Sequence, residues 1–142
     1  DRYASRGLGD VYKRQLPFNK FLSTMTLLTI AIGGALGAIS RYYLGLLFDS
    51  IQILNVSFGT FFVNIIGCFC IGICMALIDT KSNLSFLIVT GFLGSFTTMS
   101  ALSSQTIELM ITEKYLIGII YSVGTVISCV IATFIAYNIF KT

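Results

Sequence analysis

The chain has 142 residues, of which 56% are hydrophobic and only 11% charged, and its formal net charge is +3. Soluble domains have about 25% charged residues, so this composition excludes an ordinary water-soluble globule. The basic residues form no patch suited to nucleic acid. The chain contains no histidine and no paired carboxylates within its apolar segments, so we expect that it is not an enzyme.

Residues 1–15, DRYASRGLGDVYKRQ, differ in composition from the rest of the chain. They hold six of its fifteen charged residues, and they lack both the apolar core of a signal peptide and a helical apolar stripe. We interpret them as a disordered leader derived from a sequencing adapter or a cloning scar. A short disordered cytoplasmic tail is the alternative. Residues 16–142 are then expected to form a single four-helix transmembrane channel domain.

Four apolar segments are long enough to cross a bilayer, which needs about 20 mostly apolar residues. They run over residues 23–48, 56–78, 84–111 and 115–140, and they predict an all-α membrane protein. Lysine and arginine near the span ends are almost balanced, with Lys20, Lys81 and Lys141 on one side against Arg41 and Lys114 on the other. We therefore expect dual insertion and an antiparallel dimer. A single orientation fixed by other signals is the alternative.

Glycine spacing suggests how the helices associate. Gly33 and Gly37 form a GxxxG pair in the first span. The second span contains three further glycines, Gly59, Gly67 and Gly72. Four thin helices cannot enclose a pore with their own walls, so these small residues favour an oligomer. Small residues also serve packing within one chain, and the motif alone does not decide between the two uses.

Two polar side chains in the first two spans could meet an anion. Arg41 is costly in a bilayer unless it finds a partner or reaches the interface, so it either attracts an anion at a vestibule or anchors the span end with Tyr42 and Tyr43. Asn64 lies mid-span and offers amide donors without a permanent charge, which suits transient solvation of an anion. An interhelical hydrogen bond explains Asn64 equally well.

The fourth span carries a polar stripe. Tyr121, Thr125 and Cys129 recur every four residues and therefore share one helical face. Such a stripe could accompany an ion through apolar surroundings. Hydroxyl groups that bond back to their own helix are the alternative. The other cysteines are interpreted as small packing residues, because their spacing fits no zinc site.

The third span contains the most unusual stretch, from Gly91 to Ser104, with two glycines and six hydroxyl side chains. A bilayer has no water to satisfy backbone groups, so protein or a pore must surround a break there. We predict that Gly91 and Gly94 permit a break near residues 94–98. Backbone carbonyls at such a break can bind a hard cation such as Na+.

Three segments together resemble the Fluc (CrcB-type) fluoride channel family. They are GGALGAISRY at 33–42, GTFFVNIIG at 59–67 and GFLGSFTTMS at 91–100, and the similarity extends over residues 24–140. The resemblance implies a fluoride channel of the prokaryotic plasma membrane, which exports the ion and relieves its toxicity. It further implies an antiparallel, dual-topology homodimer with a structural Na+ at its centre.

Carried over by motif, the Na+ ligands would be the carbonyls of Gly94 and Thr97, and Thr60 is a further pathway candidate. The implied fluoride pathway comprises Arg41, Asn64, Thr98, Met99, Ser100, Leu102, Tyr121, Thr125 and Cys129.

The chain departs from the family pattern at the end of this motif. The family's third-span pattern reads TTFSTF with a glutamate three residues later, whereas this chain has Met99 and Leu102 at the phenylalanine positions and Gln105 at the acidic one. Phenylalanine ring edges carry partial positive charge and can face an anion. Two hypotheses follow: the chain conducts alone with weaker coordination, or it is a non-conducting or partly conducting subunit of a heterodimer whose paralogue supplies the aromatic rings.

Two other kinds of membrane protein have a similar size. A small dual-topology multidrug exporter would need a membrane carboxylate, usually in the first span, and that span has none. A purely structural membrane subunit would not require Asn64, a broken third span and a polar stripe to occur together. Fluoride conduction is therefore the function that the sequence favours.

Overall fold

The computed structural model describes residues 24–53, 56–79 and 82–141. The predicted leader, 1–15, lies outside the described residues, as do Lys20 and Lys81, on which the charge balance partly rests. Four helical spans, joined by short turns and one hairpin, make up the described part of the chain. In chain order the elements are α1 (Thr24–Asp49), β1 (Gln52–Ile53), β2 (Val56–Ser57), α2 (Gly59–Leu77), α3 (Asn83–Ser85), a π-helical segment (Phe86–Leu93), α4 (Gly94–Phe96), α5 (Met99–Ile111) and α6 (Tyr115–Phe140).

Four helices of the described residues are long and apolar enough to cross a membrane, which confirms the four predicted spans. The third is a composite that runs from Asn83 to Ile111. One feature was not predicted: the connection between the first two spans forms a short antiparallel hairpin, in which Gln52 pairs with Ser57 and Ile53 with Val56. The second span consequently begins at Gly59 rather than at Val56.

The third span is broken at two residues, Thr97 and Thr98. Both are extended, with φ −75° and ψ 150° at Thr97 and φ −146° and ψ 114° at Thr98. The predicted break is therefore present, and it occupies only the last two residues of the predicted range, 94–98. Its predicted cause is wrong, because Gly91 lies within the π-helical segment and Gly94 is α-helical with φ −63°.

Glycines bring the first span against the third. A methyl group at Gly33 would overlap the carbonyl oxygen of Leu87, and one at Gly37 would overlap that of Phe92. Gly91 supports the same contact, since a methyl group there would lie 2.8 Å from the carbonyl oxygen of Ile30. The two helices thus touch through their backbones.

Glycines of the second span likewise pack within the chain. A methyl group added at Gly59 would overlap the Asp49 side chain, and one added at Gly67 would overlap that of Thr97. A methyl group added at Gly72 would overlap the backbone of Thr133. The glycine pattern that was expected to favour association between chains is thus accounted for by contacts inside one chain, and it supplies no separate argument for an oligomer.

A small core lies between the ends of the second, third and fourth spans. Leu102, Leu109 and Tyr121 form its buried cluster, with Phe58 and Phe61 packed against it. Most other large apolar side chains are exposed at the surface of this single chain. This distribution suits a bundle whose outer faces contact lipid.

Candidate functional site

Asn64 and Thr98 join the second span to the break in the third. The Thr98 N–H donates to Asn64 Oδ1 at 2.7 Å, and Asn64 Nδ2 donates to the Thr98 carbonyl at 3.1 Å. Both residues are buried. An extended residue inside a membrane span leaves its backbone groups without helical partners, and this amide replaces them. The interhelical hydrogen bond that was the alternative explanation for Asn64 is thus observed.

Thr98 also begins the second half of the third span. Its hydroxyl oxygen accepts the Ala101 N–H at 3.2 Å, which is the usual bond of a helix N-cap. The same hydroxyl shares a hydrogen bond of 3.0 Å with Ser100, in which either group can donate. The two hydroxyl groups have two protons, and the bond between them uses one. The other proton can be donated to a further acceptor.

The break releases the two carbonyls that were predicted to bind Na+. In an unbroken helix the Gly94 carbonyl would accept from the Thr98 N–H, which here donates to Asn64. The Thr97 carbonyl would accept from the Ala101 N–H, which here donates to Thr98 Oγ1. Both oxygens lose their helical donors for the same reason, namely that side chains cap those donors.

Most of the predicted pathway residues lie around a cavity of about 200 Å³ beside the break, which we call the inner cavity. It lies between the second, third and fourth spans. Its lining is Asn64, Cys68, Thr97, Thr98, Met99, Leu102, Thr125, Val126, Cys129 and Val130. Leu102 is 2% exposed and Met99 65% exposed, so the two residues at the family's phenylalanine positions differ sharply in their surroundings.

A larger cavity of about 480 Å³, which we call the vestibule, lies on the other side of Thr98. Its lining is Arg41, Gly45, Asp49, Gly59, Thr60, Val63, Thr98, Ser100, Ala101, Ser104 and Gln105. Arg41 and Asp49 place opposite charges in it. Thr98 is the only predicted pathway residue that lines both cavities, so the two spaces meet at its side chain.

Tyr121 lines neither of these two cavities. Its hydroxyl donates to Gln105 Oε1 at 2.8 Å, so it reaches the vestibule through that side chain. Thr125 donates to the carbonyl of Tyr121 at 2.6 Å, the back-bonding that was the alternative for this stripe. In this conformation the Thr125 hydroxyl can offer an ion only its lone pairs.

Sequence reasoning missed Asp49 and Cys68. Asp49 follows Arg41 by eight residues, which places both on one face of α1, and this periodicity could have indicated it. Gly59 lets the Asp49 carboxylate lie close to the start of α2, where a negative charge is favourable. Cys68 follows Asn64 by one helical turn, and only this spacing could have indicated that the two residues share a cavity.

The site offers neutral hydrogen-bond donors on both sides of Thr98. One of the two Asn64 Nδ2 protons is used by the Thr98 carbonyl, and Asn64 lines the inner cavity. The spare hydroxyl proton of the Thr98 and Ser100 pair lies at the junction with the vestibule. Such donors can replace part of the hydration shell of a small anion without holding it by charge.

Comparison with known proteins identifies the family. A family model described as "CrcB-like protein, Camphor Resistance (CrcB)" matches residues 28–137 of the chain. The chain belongs to the CrcB family.

Three relatives of this CrcB chain are each named fluoride-specific ion channel FluC. The protein from Rhizobium leguminosarum bv. trifolii strain WSM2304 is 41% identical over 105 residues, covering 70% of this chain and 82% of the relative. That of Haemophilus ducreyi is 40% identical over 95 residues, covering 67% and 75% respectively. That of Chloroflexus aurantiacus strain J-10-fl is 37% identical over 117 residues, covering 80% and 93%.

The family and the fold together define the class of protein. A CrcB chain with four membrane-length helices among its described residues is a multi-pass membrane protein. The relatives are channels by name, and a channel is not a class of enzyme.

Proposed function

We propose that this chain forms a fluoride-selective channel that carries fluoride passively out of a prokaryotic cell across the plasma membrane and so relieves fluoride toxicity. One observation carries the proposal: two cavities lined by hydrogen-bond donors meet at Thr98, in a chain whose relatives are named fluoride-specific ion channels. Arg41 attracts the anion into the vestibule, where the nearby Asp49 limits how tightly it is held.

The chemistry of the lining suits a small, strongly hydrated anion. An ion that leaves water needs donors to replace its hydration shell, and conduction requires that it also depart. The spare N–H of Asn64 and the spare hydroxyl proton of the Thr98 and Ser100 pair supply such donors. The inner cavity of about 200 Å³ has room for such an ion beside these donors.

The proposal is tested by fluoride efflux from liposomes that contain only this protein, measured with a fluoride electrode. We expect fluoride efflux when the membrane potential is allowed to dissipate, and no chloride efflux under the same conditions. Arg41→Gln should lower the rate most at low salt, because it removes an electrostatic attraction that salt screens. Equal fluoride and chloride rates would contradict selectivity.

The proposal includes a structural Na+ held by the carbonyls of Gly94 and Thr97. The residues present fit such an ion, since both oxygens have lost their helical donors and backbone oxygens are ligands that a hard cation prefers. When bound, Na+ would supply a positive charge to the two carbonyl oxygens that lack their helical donors. Thr97 is held for this role by its own hydroxyl, which donates to the Leu93 carbonyl at 3.0 Å.

Na+ binding is tested through stability. A ligand that binds only the folded protein raises its melting temperature with concentration. We expect Na+ to raise the melting temperature of the purified protein in detergent, with choline as the inert replacement, and K+ to have a smaller effect. Equal effects of Na+ and K+ would contradict a specific Na+ site.

The proposed assembly is an antiparallel homodimer of dual topology, in which the break and its Na+ lie at the centre. A tag at the C-terminus, labelled by an impermeant reagent in intact and opened cells, should be reached from both sides of the membrane. Labelling from one side only would contradict dual topology.

A heterodimer with a paralogue is the second candidate. The absence of both family phenylalanines at Met99 and Leu102 favours it, because a partner could supply the missing rings. In that case liposomes with this protein alone would be silent, and adding the paralogue would restore fluoride efflux.

A further inference from the structure

The second and fourth spans each contribute one cysteine to the lining of the inner cavity. Cys68 on α2 and Cys129 on α6 are both free cysteines. Both line the inner cavity, and Met99 lines it too. Three sulfur-containing residues from three different helical segments therefore border one small space.

The helices that carry the two thiols are held together at this level. The Thr133 hydroxyl, one turn after Cys129, donates to the Cys68 carbonyl at 2.9 Å. Gly72, one turn after Cys68, lies so close to the backbone of Thr133 that a methyl group there would overlap it. The relative position of the thiols is therefore fixed by backbone packing, which lowers the cost of ordering them around a ligand.

The donor set selects a narrow class of metal ion. Thiolate and thioether sulfur are soft ligands that prefer soft cations such as Cu(I). The described residues hold no cluster of three or more His, Cys, Asp or Glu side chains fit for a metal, so the four ligands of a structural zinc are not at hand here. Two thiols with a thioether match a monovalent ion of low coordination number.

We propose that Cys68, Cys129 and Met99 form a binding site for a soft monovalent cation of the Ag+ or Cu+ class. One thiol loses its proton to water as its sulfur binds the metal, and the other thiol and the thioether donate lone pairs without loss of a proton. The occupied site is then neutral overall, which suits a position inside a membrane span.

Occupation of this site would also obstruct the inner cavity, because the cation and its sulfur ligands stand beside Asn64 and Thr125 in the same 200 Å³. This consequence rests on the proposed fluoride pathway, whereas the binding itself does not. Metal binding and fluoride efflux are therefore measured separately.

Binding is tested on the full chain with Cys70 and Cys74 replaced by alanine, since those two thiols lie one turn apart on α2 and outside the inner cavity. Equilibrium dialysis against Ag+ in chloride-free nitrate buffer should show one Ag+ retained per chain. Adding Cys68→Ala or Cys129→Ser should remove it. Met99→Leu should weaken binding roughly tenfold or more, as expected for the loss of one supporting ligand. No retained Ag+ in the parent protein, or retention that survives Cys68→Ala, would overturn the site.

Fluoride efflux supplies the second measurement. Ag+ should stop efflux by the parent and leave that of Cys129→Ser unaffected, a variant that keeps a polar group at this position. Elution on size exclusion and the melting temperature in detergent show that each variant has folded. Binding of Ag+ with efflux unchanged would support the sulfur site while contradicting the pathway through the inner cavity.

Discussion

The Asn64 side chain and the Thr98 backbone exchange two hydrogen bonds across 34 positions of the sequence, at 2.7 and 3.1 Å. Through them the second span completes the backbone bonding of the broken third span. One amide therefore pairs both backbone groups of Thr98, and the same residue lines the inner cavity.

Replacing this amide should cost both stability and fluoride efflux. Asn64→Leu leaves the buried Thr98 N–H and carbonyl unpaired, at about 1–3 kcal/mol each. The melting temperature in detergent and the liposome efflux rate should both fall. Thr133→Val is the matched control, because it removes an interhelical hydrogen bond of the second span away from the break. If the control reduces efflux as much as Asn64→Leu, the loss reflects stability and not the pathway.

The contribution of the Thr98 hydroxyl can be measured separately from that of the side-chain volume. Thr98→Val keeps the side-chain volume but removes the acceptor for the Ala101 N–H, a capping bond worth about 1 kcal/mol. It also removes a donor from the junction of the two cavities. We expect reduced stability and strongly reduced efflux in Thr98→Val, and retention of both in Thr98→Ser. Efflux in Thr98→Val that equals the parent rate would show that no donor is needed there.

The contact between the first and third spans leaves no room for a methyl group at Gly37. Gly37→Ala must displace the backbone near Phe92, and overpacking of this kind costs about 1–3 kcal/mol. Gly45→Ala is the control on the same helix, since nothing lies within 4 Å of an added methyl group there. Thermal unfolding in detergent should show a clear loss for Gly37→Ala and nearly none for Gly45→Ala. Equal effects of the two substitutions would contradict a close backbone contact at Gly37.

The missing aromatic rings can be restored one at a time. Met99 is 65% exposed and can accept a larger ring, whereas Leu102 is 2% exposed, so Leu102→Phe should destabilise the protein by about 1–3 kcal/mol. If the chain conducts alone with weakened coordination, Met99→Phe should raise fluoride efflux and Met99→Leu should not. An unchanged rate in Met99→Phe would favour a partner subunit that supplies the rings.

The sequence was sufficient to locate the spans because uninterrupted apolar runs dominate them. The predicted fourth span, 115–140, coincides with Tyr115–Phe140, and the first is displaced by one residue at each end. The hairpin was missed because its strands are only two residues long, and because the second strand, Val56–Ser57, was assigned to the start of the second span.

The break itself could be placed from the sequence, but its cause could not. Glycine suggested local flexibility, whereas the partner that stabilises Thr98 lies on another span. Long-range hydrogen bonds leave no mark on local periodicity. The division of the pathway residues between two cavities also depends on packing, and neighbouring positions such as Thr97 and Ser100 belong to different spaces.

Thr98 lines both the inner cavity and the vestibule. Its neighbours are fixed by backbone contacts between helices, so the smallest change at this junction is rotation of a hydroxyl or of χ1. Motions of this kind take picoseconds to nanoseconds, whereas helix displacements take microseconds to milliseconds. On the proposed pathway, passage at Thr98 would then be limited by side-chain rotation and would need no displacement of a helix.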